Sequence, residues 1–176
     1  RLKLDSYEKL LIELKELDYS GVIVYSGLSE PLLIKNITDY IELTKTLLPR
    51  VHLEIITNGD VLNPSKLRKL FDSGLDRLKI SLYDGRHQID RFREMCSQAG
   101  VRQEKVLLRR RYLEGGNYGI TLSNRSGLVD SSVFNQSTES DAMDFPLARP
   151  CFYPFYMLKI NHDGAVTMCS HDWEDQ

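Results

Sequence analysis

Apolar residues follow two alternating spacings along the first part of the chain. Four segments carry them three or four positions apart, the spacing of amphipathic helices, over residues 5–18, 36–48, 63–73 and 86–99. Short apolar-rich runs typical of strands lie between and after them, over residues 22–25, 51–57, 77–82 and 105–112. The run Val22–Tyr25 is apolar throughout, as in strands of buried parallel sheets. This alternation predicts βαβ units and a parallel sheet, open or closed into a barrel.

Residues that typically begin and end helices flank two of the helical segments. Asn63 is the predicted N-cap of the third helix, with Pro64 at its first position and Gly74 after its end. Asp5 and Glu8 resemble a capping box at the start of the first helix. We therefore expect side-chain caps at both starts.

The pattern changes from Glu114 to Pro150, where Ser, Asn, Gly and Asp dominate and the periodicity fades. Residues 118–122 are a candidate for one more strand. The composition is typical of a bridge between two modules. We accordingly divide the chain into a first domain over residues 1–125, a linker over 126–148 and the start of a second domain over 149–176.

A β-hairpin is predicted near the end of the chain. Two apolar-rich runs, residues 156–160 and 165–168, are joined by Asn161-His162-Asp163-Gly164, and Asp-Gly between such runs favours a tight turn. Cys151 precedes the first strand and Cys169 ends the second, so the hairpin brings both sulfurs to one end. The pair could be metal ligands, a disulfide, or two buried apolar side chains.

Composition narrows the class of protein. The chain has 176 residues, a net charge of −2 and three cysteines. No basic run indicates a nucleic-acid or membrane partner, and no apolar stretch approaches the roughly 20 residues that span a bilayer. An odd cysteine count favours a reducing compartment, so we expect a cytoplasmic protein. Cys96 lies on the apolar face of the fourth helix and is predicted to be core. The chain begins at Arg1, directly before a helix, and we expect it to be a fragment.

Segments with polar or charged residues lie at the end of each predicted strand or directly after it. They are Ser26 to Glu30, Asn58 with its neighbours, Ser81 to Gly85, and Arg109 to Arg111. Because the carboxyl ends of parallel strands meet at one edge of a sheet, these residues predict a pocket for a polar ligand. Taken singly, each has a structural alternative as an ordinary turn, a helix start or a solvated edge.

In combination these segments resemble the radical S-adenosylmethionine (SAM) enzymes. Ser29-Glu30-Pro31-Leu32-Leu33 is similar to that family's Gly-Glu-Pro motif, with Ser29 in place of glycine. Residues 56–59 (Ile-Thr-Asn-Gly) and 78–85 (Leu-Lys-Ile-Ser-Leu-Tyr-Asp-Gly) resemble the next two strand ends, in the family's order. Tyr83 is inserted before Asp84, which departs from the usual Ser-Leu-Asp-Gly. The arrangement Cys-x12-Gly-x4-Cys from Cys151 to Cys169 resembles the start of a SPASM or twitch domain, which holds an auxiliary iron–sulfur cluster.

The resemblance implies the fold, the cofactors and the site. The fold class is α/β, a partial (βα)6-type parallel barrel followed by a small β-hairpin auxiliary-cluster domain. The cofactors are SAM and one or more [4Fe–4S] clusters. The loop at Ser29 and Glu30 would hold the SAM ammonium group, Ser81 its ribose, and Arg109 or Arg111 its carboxylate. These five residues and Asn58 are the implied cofactor-binding residues, whereas Cys151 and Cys169 are the implied metal ligands.

The implied activity is reductive cleavage of SAM to a 5′-deoxyadenosyl radical, which takes hydrogen from an unactivated C–H bond. The substrate would be a small, sugar-like molecule or a peptide, and the electron donor a flavodoxin or ferredoxin. The family's Cys-x3-Cys-x2-Cys motif is absent from the sequence, so we expect this chain alone to be inactive. One alternative is a zinc-stabilised binding module that uses Cys151, His162, Cys169 and His171. A second is a degenerate, non-catalytic relative.

Overall fold

A computed structural model of the chain describes residues 2–27, 29–112 and 150–167. Helices and strands alternate in its first part, and a short hairpin forms its last. In chain order they are α1 (Leu4–Glu16), β1 (Val22–Tyr25), α2 (Ile37–Leu47), β2 (His52–Thr57), α3 (Pro64–Asp72), β3 (Arg77–Leu82), α4 (His87–Ala99), β4 (Val106–Arg110), β5 (Lys159–Ile160) and β6 (Val166–Thr167). Three 3-10 turns lie at Pro31–Leu33, Gln103–Lys105 and Tyr153–Phe155.

The first four strands form one parallel sheet in the order β1-β2-β3-β4. Each strand pairs with the next strand in the chain, with a helix between them, which is the arrangement of a (βα) barrel. β5 and β6 form a separate antiparallel pair. The predicted fold class, a partial α/β parallel barrel followed by a small hairpin, is confirmed.

Two apolar clusters fix the helices against one face of this sheet. The larger contains Leu53, Ile55, Leu78 and Ile80 from the central strands, packed with residues of α3 and α4. The smaller joins α1 to α2. Cys96 belongs to the larger cluster and is 3% exposed, so its predicted place in the core is confirmed. Burial raises the pKa of its thiol.

The predicted boundaries are correct at α3 and wrong at the start of α1. Asn63 accepts a hydrogen bond from the backbone N–H of Lys66, as an N-cap does. In α1 the N-cap is Lys3, with no side-chain cap bond, and Asp5 lies within the first helical turn. The expected capping box is therefore absent, because the helix begins one residue before the residue predicted to cap it.

β1 also differs from the expectation of a strand buried on both faces. Val22 is 51% exposed and Val24 is 41% exposed, whereas Ile23 and Tyr25 pack against the helices. Successive side chains of a strand point to opposite faces, so β1 presents an apolar row on the face away from the helices. We call this the inner face of the sheet.

The hairpin forms around the predicted turn. Gly164 has a φ of 94°, the N–H of Asn161 donates to the carbonyl of Ala165, and the N–H of Ala165 donates to Asp163. The first strand is shorter than expected. It begins at Lys159, because the chain from Tyr153 to Phe155 forms a 3-10 turn that contains Pro154.

Several predictions fall outside the described residues. They are the strand at 118–122, the linker at 126–148, and the roles of Cys169 and His171. In the part of the chain that the structure describes, no helix is both long and apolar enough to cross a membrane.

Candidate functional site

The four predicted strand-end segments lie along the carboxyl edge of the sheet. Because β1 to β4 are parallel and adjacent, the loops that follow them leave from the same edge. Ser29 and Glu30 follow β1, and Asn58 follows β2. Ser81 is the penultimate residue of β3, and Arg109 holds the same place in β4. The topology thus brings the predicted cofactor-binding residues together at one edge.

Glu30 joins the first loop to the end of β2. Its Oε1 accepts hydrogen bonds from the backbone N–H of Leu32 (2.9 Å) and the hydroxyl of Thr57 (2.6 Å). Its Oε2 accepts one from the backbone N–H of Asn58 (2.9 Å). The Glu30 carboxylate therefore holds the loop after β1 and the loop after β2 in place. Ser29, beside it, is exposed.

Asn58 closes the turn after β2. Its Oδ1 accepts from the N–H of Asp60 (3.0 Å), and its Nδ2 donates to the carboxylate of Asp60 (2.8 Å). The next residue, Gly59, donates its N–H to the hydroxyl of Thr57. The Asn58 side chain is thus occupied within its own loop.

The loop after β3 is held in a comparable way. The N–H of Asp84 donates to Oε1 of Gln88 (3.0 Å), and Nε2 of Gln88 donates back to the Asp84 carboxylate (3.1 Å). Gln88 is 2% exposed, so this reciprocal pair anchors the loop to the first turn of α4. Asp84, which follows the inserted Tyr83, therefore holds its own loop against α4.

Ser81, Arg109 and Arg111 lie on the inner face near the carboxyl ends of the strands. Ser81 pairs in register with Arg109, and Arg111 lies two residues further along on the same side. Ser81 is 5% exposed, and its hydroxyl makes no hydrogen bond to another described residue. Nε of Arg111 is buried, and no described residue forms a hydrogen bond with it. Burial and the like charge of Arg109 lower the pKa of Arg111, whereas nearby Tyr83 acts in the opposite direction.

Further from the carboxyl ends of the strands, the same face carries a cluster of charged side chains that was not predicted from the sequence. Glu54 is 4% exposed, and its carboxylate forms ion pairs with Lys79, with Arg77 (3.4 Å) and, when the imidazole is protonated, with His52 (3.4 Å). A carboxylate is stable at such a site only when paired. The pattern that could have revealed it is a glutamate in one predicted buried strand and two cations in the next.

The structure describes two of the three cysteines. Cys151 is exposed at the start of the hairpin segment, whereas Cys96 is buried in the core. Cys169 lies outside the described residues. Within the ranges that the structure describes, no group of three or more His, Cys, Asp or Glu side chains could hold a metal ion. The predicted auxiliary-cluster ligands stay a prediction.

Comparison with known proteins gives consistent matches. The profile of the "Radical SAM superfamily" matches residues 1–110. The S-adenosyl-L-methionine-dependent 2-deoxy-scyllo-inosamine dehydrogenase of Niallia circulans is 29% identical over 171 residues, which is 97% of this chain and 62% of that protein. The chain therefore spans less than two thirds of the length of this relative.

Solved structures match over almost the whole chain. BtrN in complex with AdoMet and 2-DOIA has a TM-score of 0.75 at 27% identity, over 99% of this chain and 63% of BtrN. BtrN in an open conformation has a TM-score of 0.64 at 22% identity, over 99% of this chain and 60% of the other. The second match supports the fold alone.

Proposed function

The chain belongs to the radical SAM superfamily, and from that premise we propose that the complete protein is a radical SAM oxidoreductase acting on a small, hydroxyl-bearing molecule. The observation that carries the proposal is the 29% identity to a SAM-dependent dehydrogenase of a cyclitol amine, over 97% of the chain. A peptide substrate, the other class implied by the family resemblance, has no comparable support.

The cofactors of this superfamily are SAM and a [4Fe–4S] cluster, which together supply hydrogen abstraction from an unactivated C–H bond. The chain's own residues fit the SAM part. Among the described residues, neither the Ser81 hydroxyl nor the guanidinium group of Arg109 has a hydrogen-bond or ion-pair partner, which supports a role for both in binding a ligand. We assign Ser81 to the ribose and Arg109 to the carboxylate, where a planar guanidinium suits bidentate contact.

The residues do not fit the cluster that cleaves SAM. The sequence has three cysteines, one of them buried in the core, and no Cys-x3-Cys-x2-Cys. We propose that residues 1–176 alone do not cleave SAM. Cys151 and Cys169 would serve an auxiliary cluster that accepts an electron when an alcohol is oxidised. A flavodoxin or ferredoxin as external donor, and a cytoplasmic location, remain predictions.

A SAM-binding measurement tests the assignment of Ser81. In the protein with its natural flanking sequence, anaerobically reconstituted, Ser81→Ala should weaken SAM binding about tenfold by calorimetry, the loss of one hydrogen bond to a buried hydroxyl. Ser97→Ala, at an exposed position of α4, is the control. Unchanged SAM affinity in the Ser81 variant, with the control also unchanged, would reject the role of Ser81.

Metal analysis of the same preparation tests the function itself. Two or more [4Fe–4S] clusters, one with an EPR spectrum perturbed by SAM, would support the proposal. Cys96→Ala should leave the iron content unchanged, because that thiol is in the core. Zinc in place of iron, with no response to SAM, would instead favour a binding module of the same fold.

A further inference from the structure

The inner face of the sheet carries an excess of positive charge. Among the described strand residues on this face, and Arg111 directly after β4, four side chains are arginine or lysine and one is a carboxylate. The cations are Arg77, Lys79, Arg109 and Arg111, and the carboxylate is Glu54. The chain as a whole has a net charge of −2, so the excess is a property of this face and not of the protein.

The Glu54 carboxylate neutralises only the cations that lie further from the carboxyl ends of the strands. Glu54 is already shared by Arg77 and Lys79, with His52 beside it. No carboxylate of a described residue forms an ion pair with Arg109 or Arg111. The guanidinium groups of Arg109 and Arg111 therefore lie at the ligand edge without a counter-charge from any described residue.

Two adjacent arginines without a counter-charge are unfavourable unless an anion binds them. Arg109 and Arg111 are two positions apart on one strand face, which separates their Cα atoms by about 7 Å. Arg111 is half-buried, and its Nε has no hydrogen-bond partner among the described residues. The charge of Arg109 acts unfavourably on the partly desolvated charge of Arg111, and a bound carboxylate or phosphate relieves this repulsion.

SAM supplies only one such anion. Its carboxylate can meet one arginine, but its ammonium and sulfonium groups add two positive charges to the same site. Arg109 lies in register with Ser81, so it suits the carboxylate of a ligand whose ribose contacts that serine. Arg111 is the residue directly after the end of β4, and it lies near Tyr83.

We propose that the substrate of this protein carries an anionic group, a carboxylate or a phosphate, and that Arg111 binds it. This inference rests on the proposed function and names the substrate class of the same site. It distinguishes this chain from an enzyme whose substrate is only a polyol or an amine. Arg111 is then a determinant of substrate specificity, whereas Arg109 serves SAM.

The test compares neutral and anionic probes on the full-length, reconstituted protein. The probes are myo-inositol, myo-inositol 1-phosphate and galacturonate, each titrated by calorimetry with and without saturating SAM. At least one anionic probe should bind about tenfold or more tightly than myo-inositol, the effect of one charge-assisted hydrogen-bonded contact. The phosphate and the carboxylate arms show which anion is preferred.

Variants of neighbouring arginines assign the effect to one residue. Arg111→Gln should abolish the preference for the anionic probe while SAM affinity changes less than about twofold. Arg110→Gln is the matched control, because Arg110 points to the opposite face, where its guanidinium lies over the ring of Tyr112. It should leave both affinities unchanged.

The outcomes separate the inference from the proposed function. Equal binding of neutral and anionic probes, or an anion preference that survives Arg111→Gln, overturns the inference and leaves SAM binding untouched. Loss of SAM binding in Arg111→Gln, without any anion preference in the wild type, would assign both arginines to SAM. Failure of the wild type to bind SAM would overturn the proposed function, and the titration without SAM still decides the inference.

Discussion

At the scale of single residues, Gly59 shows how the ligand edge depends on backbone shape. Its φ of 77° lies in the left-handed region that side chains disfavour. A Cβ at this position would lie 2.6 Å from Cζ of Phe92, a core residue of α4. The glycine therefore lets the loop after β2 turn closely over the core, while the N–H of Asn58 beside it bonds to Glu30.

We expect Gly59→Ala to lower the free energy of unfolding by about 2–4 kcal/mol, from backbone strain and the collision with a buried ring. Gly100→Ala is the matched control. Gly100 has a similar φ of 67°, but the nearest atom to its Cβ would be 3.7 Å away. The control should cost only about 1 kcal/mol of strain in urea denaturation. Equal losses in the two variants would show that contact with Phe92 adds nothing.

At the scale of elements, a buried hydrogen-bonded cluster joins α1, β1 and α2. The hydroxyl of Tyr7 lies 2.8 Å from that of Tyr25, and the Oγ1 of Thr44 lies 2.7 Å from both. Thr44 donates to the carbonyl of Tyr40, which also accepts from Tyr25. Burial raises the pKa of Tyr7 and of Tyr25, so both remain neutral donors at physiological pH. The cluster fixes β1 just before the loop that contains Ser29.

A double-mutant cycle tests this cluster. Thr44→Val alone should cost about 1 kcal/mol, because Tyr7 can still donate to Tyr25 and Tyr25 to the Tyr40 carbonyl. Tyr25→Phe alone should cost a similar amount, since Tyr7 keeps Thr44 as its partner. In the double variant Tyr7 loses both partners, so a further loss of about 1–2 kcal/mol should appear beyond the sum. Additive losses, measured by chemical denaturation, would contradict the shared network.

At the scale of the whole molecule, Asp76 links α2 to the parallel sheet through residues that are distant in the sequence. Its carboxylate accepts from the backbone N–H of Leu53 (2.8 Å) and from Nζ of Lys45 (3.0 Å). Partial burial by itself would raise the pKa of Asp76, but these two partners outweigh it and hold the pKa below its usual value. The contact joins α2, β2 and the start of β3 at the end of the sheet opposite the ligand edge.

This depressed pKa predicts acid sensitivity of global folding. A carboxylate with a lower pKa in the folded state stabilises at neutral pH, and the stabilisation is lost as pH falls below about 4 through its folded pKa. Asp76→Asn should be less stable than wild type by about 1–2 kcal/mol at pH 7, and the difference should shrink by pH 3.

The exposed Asp72 at the end of α3 provides the control for this comparison. Asp72→Asn should follow the wild-type stability at both pH values. If the gap between Asp76→Asn and wild type stays constant from pH 7 to pH 3, the ionised carboxylate is not what stabilises the fold.

The sequence by itself determined the order of helices and strands, the parallel sheet, the hairpin turn and the set of residues at the carboxyl edge. Hydrophobic periodicity and turn residues are local properties, so Asn63, Gly74 and Gly164 could be assigned correctly from their neighbours alone. The same local pattern placed the capping residue of α1 wrongly, since the start of a helix also depends on what packs against it.

Only the tertiary structure decided which partners those edge residues have. Strand register paired Glu54 with Arg77 and left Lys79 close enough for a second ion pair, and it placed Arg109 level with Ser81. Such contacts join residues far apart in the sequence. The tertiary structure also showed that Glu30, the central residue of the family-like motif, uses its carboxylate to bind Thr57 and the next loop. A sequence motif identifies the residues of a site. Whether a given residue still has hydrogen-bonding groups or charge available for a ligand depends on the neighbours that folding places around it.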